Sequence, residues 1–295
     1  MTFFKLLFQR VFLLGFIVTS LAGQSQQKWK VLLIDGQNNH DNWPKTSKLM
    51  IGYLEETGLF EVERSTTPAK GEAMDSFVPD FSKYDLVLSN YNGDSWPQST
   101  RESFESWVRN GGAFVVVHAA DNAFPEWEEY NKMIGLGGWG GRTEESGPYV
   151  YIDDHDKIVH DKSPGLGGGH GSQHDFVIKV RQPEHPVMNG MPLEWLHVKD
   201  ELYATMRGPA ENMEILATAY ASPKERGTGR NEPMVMAIRY GKGKVFHTTL
   251  GHGEYSQKCI GFVTLLQRGA EWAISGKVTQ GLPKKFPSIK RKASR

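Results

Sequence analysis

Several loops of this chain carry side chains that could ligate a cation or move a proton. The first carries His118, which closes the run Gly111-Gly112-Ala113-Phe114-Val115-Val116-Val117. Two glycines followed by consecutive β-formers read as a buried, parallel strand. The histidine falls where that strand ends, and Ala119-Ala120-Asp121-Asn122 follow as a turn. Open α/β sheets bind ligands beyond the carboxyl ends of their strands, and imidazole both titrates near neutrality and ligates metals. The plainer reading is a buried, hydrogen-bonded core histidine. Asn38-Asn39-His40-Asp41 follows the first strand of the chain, and Gly251-His252-Gly253-Glu254 follows the last long one. If these strands are parallel neighbours, the three loops share one edge of the sheet. Asp200-Glu201-Leu202-Tyr203 adds paired carboxylates, suited to acid–base work or to a metal; their plainer reading is a capping pair on the surface.

Other motifs are weaker. His170 and His174 are four apart, but glycines precede them and no Glu follows His170, so a helical zinc-protease site is rejected and a polar lid is the surviving functional reading. His155, His160, His185 and His197 read as surface or structural. Gly135-Leu136-Gly137-Gly138-Trp139-Gly140 fits G-x-G-x-x-G without a strand before it or a helix after it. Gly241-Lys242-Gly243-Lys244 lacks the residues of a phosphate loop and reads as a hairpin turn. No nucleotide cofactor is expected. A G-x-S-x-G elbow is absent, and the single thiol, Cys259, starts an apolar helical stretch and reads as structural.

The elements that must position these residues alternate. Lys30–Asp35 is a strand, and Pro44 suits the first turn of a helix that Gly58 stops. Phe60–Arg64 and Tyr84–Asn90 are strands, Thr100–Arg109 a helix, and then comes the strand leading to His118. Such alternation implies a parallel sheet covered on both faces. Residues Gly135 to Gly171 are irregular and read as a functional loop or lid. Strands return at Phe176–Val180, Glu214–Ala219, Met234–Tyr240 and Lys244–Leu250, and Phe262–Trp272 reads as a closing helix.

The 295 residues carry 34 basic and 34 acidic side chains, ordinary globular composition that argues against a general nucleic-acid binder. Residues 1–23 read as a signal peptide: Lys5 and Arg10, a short apolar run from Val11 to Val18, then Ser20-Leu21-Ala22. The run is too short for a membrane span, so a periplasmic or secreted protein is expected. A single cysteine forbids an intrachain disulfide. Leu282–Arg295 carries six basic residues and no acid, and reads as a solvated, disordered tail beyond a domain at 28–280.

Gly111–Ala120, Asp200–Tyr203 and Tyr240–His252 resemble, in this order, three signatures of the ThuA-like (trehalose utilisation) proteins. The resemblance runs from about Lys30 to about Ile274; the stretch Trp139–His174 is longer than in the shorter members. It implies the class I glutamine amidotransferase-like fold, a flavodoxin-like three-layer α/β sandwich with a mainly parallel sheet. True amidotransferases place a Cys at the turn where this chain has His118, so that activity is contradicted by the sequence itself. The family implies a role in disaccharide catabolism through 3-keto sugars.

The expected site is therefore a sugar pocket at the carboxyl edge of the sheet. His118, Glu201 and His252 are the expected catalytic residues. His40, Trp43, Asp121, Trp139, Tyr203 and Glu254 are the expected binding residues, with the aromatics stacking on a sugar face. His118 and His252 are expected to hold a divalent metal, zinc by ligand type. Hydrolysis, elimination or isomerisation of a glycoside is the leading expectation; a non-catalytic carbohydrate-binding protein is the alternative. Ligating atoms of His118, Glu201 and His252 within roughly 3–5 Å of one another would favour catalysis.

Overall fold

The computed structural model describes residues 27–295; the expected signal peptide lies outside the described residues. The first strand, β1 (Trp29–Asp35), pairs in parallel with β2 (Phe60–Thr66) and β3 (Leu86–Ser89). β3 pairs in parallel with β4 (Ala113–Val117), and β4 with β13 (Gly243–Thr248). Antiparallel strands continue the sheet: β12 (Asn231–Tyr240), β11 (Met213–Tyr220), β8 (His174–Val180) and β9 (Glu194–Asp200), giving the order β2-β1-β3-β4-β13-β12-β11-β8-β9. The α/β class is as expected, with the parallel strands forming the half of the sheet that carries three of the four candidate loops.

Alternation along the strands divides the core. Val31, Leu33, Leu88, Val115 and Val117 face α1 (Trp43–Glu55) and α5 (Ile260–Ser275), through Met50, Leu54, Phe262 and Leu266. Leu32, Ile34, Val87, Phe114 and Val116 face α2 (Gln98–Arg109) and α3 (Glu128–Ile134), through Phe104, Val108, Tyr130 and Met133. Successive strand side chains point to opposite faces, so an unbroken apolar strand needs a helical layer on each side. This is the three-layer sandwich. The hairpin between β12 and β13 turns at Gly241-Lys242, with Gly241 in the left-handed region (φ 58°) that two-residue hairpins require.

Two expectations fail. Residues 282–295 are not a free tail. The Ile260 N–H donates to the Ala293 carbonyl (2.9 Å), the Arg295 N–H to the Lys258 carbonyl (3.0 Å), and Phe286 is buried edge-on against Trp195. Two of their six basic side chains find partners on the domain, Lys292 on Asp175 and Arg295 on Glu56. The Gly-rich stretch is not a lid without structure either. It contains β5 (Tyr149–Ile152), β6 (Ile158–Asp161) and β7 (Gly169–His170), and β7 pairs with β10 (Tyr203–Ala204). Gly168 (φ 88°) lies so close to Trp139 that a Cβ there would sit 2.3 Å from the Trp139 backbone nitrogen. Among the described residues no helix is long and apolar enough to cross a membrane.

Candidate active site

β4 ends inside the protein, and the chain turns at once into a short 3-10 turn, His118–Asn122. That sharp exit puts His118 at φ 48°, a left-handed conformation that costs a non-glycine residue about 1–3 kcal/mol. The turn leaves the ring 3% exposed and packed on Tyr203, with ring centroids 4.2 Å apart. His118 Nδ1–H donates to the Thr249 carbonyl (2.6 Å), beyond the end of neighbouring β13. Its Nε2 is therefore the free nitrogen, and it is buried with no hydrogen-bond partner.

Three further side chains converge on that nitrogen. Glu201 Oε2 lies 3.6 Å from His118 Nε2, 2.9 Å from His252 Nδ1 and 3.9 Å from His40 Nε2. One ligating atom from each of His40, His118, Glu201 and His252 lies within 4.8 Å of every other. A cation about 2.1 Å from each donor spreads its donors roughly 3–4 Å apart, so the group has the dimensions of a coordination shell. Backbone and side-chain partners aim the rings: Thr249 holds His118, and Asn38 Oδ1 accepts from His40 Nδ1 (3.1 Å). Such outer partners are what fix a metal-binding imidazole. His252 Nδ1 is a second buried nitrogen without a hydrogen bond of good geometry.

Electrostatics agree with the distances. Burial disfavours the charge on Glu201, but the neighbouring His118 and His252 imidazoles outweigh it and hold the carboxyl below its usual range. Burial works against a charged His118 as well, yet the carboxylates of Glu201, Asp200 and Asp121 hold its pKa above the usual value. His40 is pushed down to about 4 by burial and by His118 and His252, so its imidazole is neutral at pH 7. Among the described residues the nitrogen bases within 4.0 Å of Glu201 are all histidines; no Lys or Arg neutralises it.

A pocket of about 450 Å³ opens above the group. His40, Glu201 and Tyr203 reach it from below, Asn39, Asn92 and Asn122 line its polar side, and Trp139 and His170 form the wall. A second hollow of about 380 Å³, lined by Gln37, Trp43, Lys70 and Asp94, shares Asn39 and Asn92 with it.

Of the residues expected from the sequence, His40, His118, Glu201 and His252 come together, with Trp139 and Tyr203 at the pocket. Asp121 does not line it. The 3-10 turn points Asp121 inward, fully buried, where His247 Nε2 lies 3.1 Å from Oδ2. Glu254 does not line it either: it starts α4 (Glu254–Gln257), is 37% exposed and pairs with Lys45 (3.2 Å). Trp43 lines the adjoining hollow and takes Arg64 over its ring, centroid distance 5.5 Å. The sequence marks His170 only as part of a polar lid and does not mark Gln173. The β7–β10 pairing sets His170 opposite Tyr203, placing His170 Nε2 3.5 Å from Glu201 Oε1. Gln173 Nε2 donates to the same oxygen (3.1 Å). Two histidines four apart were the sequence signal, but only strand pairing decides which one faces the pocket. Cys259 is buried at the start of α5 and is not a member of the group.

The ThuA family model, described as trehalose utilisation, matches residues 30–273. This chain belongs to the ThuA family. A ThuA-like protein of known structure from Parabacteroides merdae is 49% identical, with a TM-score of 0.88 over 91% of this chain and 98% of that one. A second ThuA-like protein, from Bacteroides uniformis, is 19% identical, with a TM-score of 0.58 over 89% and 98% of the two chains, and shares the fold. No curated protein matches the chain. The family places the protein in the context of carbohydrate utilisation, and the glutamine amidotransferase-like superfamily is consistent with it.

Proposed function

We propose that this ThuA-like protein is an exported enzyme that processes a disaccharide or 3-keto-glycoside at the pocket above His118. The reaction is a hydrolysis, elimination or isomerisation assisted by a divalent cation. The observation that carries this reading is the bare, buried Nε2 of His118 within a group of three imidazoles and one unneutralised carboxylate. Buried polar atoms are normally satisfied, and nitrogen-rich donors with a carboxylate suit zinc and similar dications. His40, His118, Glu201 and His252 would hold the ion. When bound, it would polarise a substrate oxygen or acidify a water. The remaining residues bind and orient: Trp139 offers an aromatic face to a sugar ring, and Asn39, Asn92 and Asn122 offer amides to hydroxyl groups. His170, whose Nδ1 contacts the Gly171 carbonyl (2.8 Å), turns Nε2 towards the pocket beside Glu201 and is placed to exchange a proton with a substrate hydroxyl. Export rests on the leader pattern of residues 1–23.

The test combines elemental analysis of the purified protein with a screen of disaccharides and their 3-keto forms, run alongside His118→Ala. We expect about one equivalent of a divalent transition metal in the wild type, its loss in the variant, and turnover lost with it. Equal metal content and equal turnover in the variant would remove His118 from the mechanism. Sugar binding without turnover in the metal-loaded wild type would favour an accessory role instead. Detection of the full leader on protein recovered outside the cytoplasm would count against cleavage.

A further inference from the structure

We infer that Asp200 is a positioning residue that sets the geometry of the cation group through the backbone of two of its members. The inference rests on the metal reading above. Asp200 ends β9 and is 1% exposed, and among the described residues no Lys or Arg pairs with it. Its carboxylate instead accepts from four donors. Oδ1 takes the N–H of Glu201 (2.9 Å) and the N–H of His252 (3.1 Å). Oδ2 takes the N–H of Gly251 (2.8 Å) and Nε2–H of His197 (2.8 Å). Three of these are backbone groups on the two segments that carry Glu201 and His252.

Those segments come from opposite parts of the sheet. Glu201 follows β9 at the antiparallel edge, and His252 follows β13 in the parallel half. No strand pairing joins β9 to β13, so the register of one segment against the other depends on what lies between them, and the Asp200 carboxylate lies there. A buried carboxylate is costly unless fully hydrogen-bonded. Here both oxygens are satisfied, by the amides whose spacing decides how Glu201 Oε2 meets His252 Nδ1. His197, also fully buried, orients the carboxylate from behind. An isosteric amide would turn one acceptor oxygen into a donor facing N–H groups. At least one of the two segments would then lose its anchor.

The experiment uses cobalt(II), whose visible absorption reports coordination geometry, on wild-type protein and Asp200→Asn. Loss of an outer-shell partner typically weakens metal binding by about 10- to 100-fold, and that loss is expected together with an altered cobalt absorption band. A lowered melting temperature with unchanged cobalt affinity and an unchanged band would overturn the inference, because a merely structural role predicts that pattern. If Asp200→Asn does not fold, hydrogen exchange of the metal-free wild type decides. Protection at the amides of Glu201, Gly251 and His252 is expected, and exchange at open-loop rates would overturn the inference. A wild type that takes up no cobalt, yet shows those amides protected, sinks the metal reading and leaves a clamp with nothing to position.

Discussion

Glu232 shows at a single residue how burial without a counter-charge reshapes stability. It sits on β12, 1% exposed, with Thr228 Oγ1 donating to Oε1 (2.7 Å). Burial pushes its carboxyl up to about 7, and Thr228 and Arg230 only partly offset the shift. A carboxyl whose folded pKa is raised binds its proton more tightly when folded. Its contribution is therefore present below the unfolded value and is lost as pH rises through the folded one. Relative to Glu232→Gln, the wild type should lose on the order of 3 kcal/mol between about pH 4.5 and about pH 8. Urea titrations of both proteins across that range would show it, and parallel pH profiles would refute it. Residues of this kind hide from sequence reading because the burial that shifts them comes from the assembled sheet, while the partners beside them in the chain, here Thr228 and Arg230, give no sign of it. His40, His118 and His252 were legible because each follows a strand whose apolar run is unmistakable. Asp121, two places past Ala119 in the same turn, was not: a 3-10 turn rotates it away from the pocket and onto His247.

Among the elements, the C-terminal segment offers the sharpest contrast between composition and structure. Six basic residues without an acid suggest solvation, yet a single aromatic, Phe286, anchors the stretch on Trp195, and backbone hydrogen bonds tie it to the start of α5. Phe286→Ala should cost about 3 kcal/mol, at the lower end for removing a buried phenylalanine. Thermal or denaturant unfolding would measure it, and a loss well under 1 kcal/mol would return the segment to the status of a loose tail. The inner parallel strands were readable because they are apolar on both faces, and β2 because its apolar and charged residues alternate. β9 was not, since Glu194, His197 and Lys199 interrupt its pattern. α3 was not either, having seven residues and no apolar stripe long enough to show a period.

For the molecule as a whole, a ligand that binds only the native state stabilises it by mass action. A dication at a hundredfold excess over its dissociation constant contributes about 2.7 kcal/mol, which should raise the melting temperature by roughly 5–10 °C in a domain of this size. Scanning calorimetry with and without chelator would test this, with Glu201→Gln expected to abolish the shift. The four donors come from four widely separated stretches of the chain, and the two held by Asp200 meet only when both halves of the sheet are in place. Contacts between such distant segments form late, after the loops between them have closed. A bound ion would therefore count finished molecules. In a preparation that mixes native, truncated and misfolded chains, metal stoichiometry would report the fraction that had completed folding.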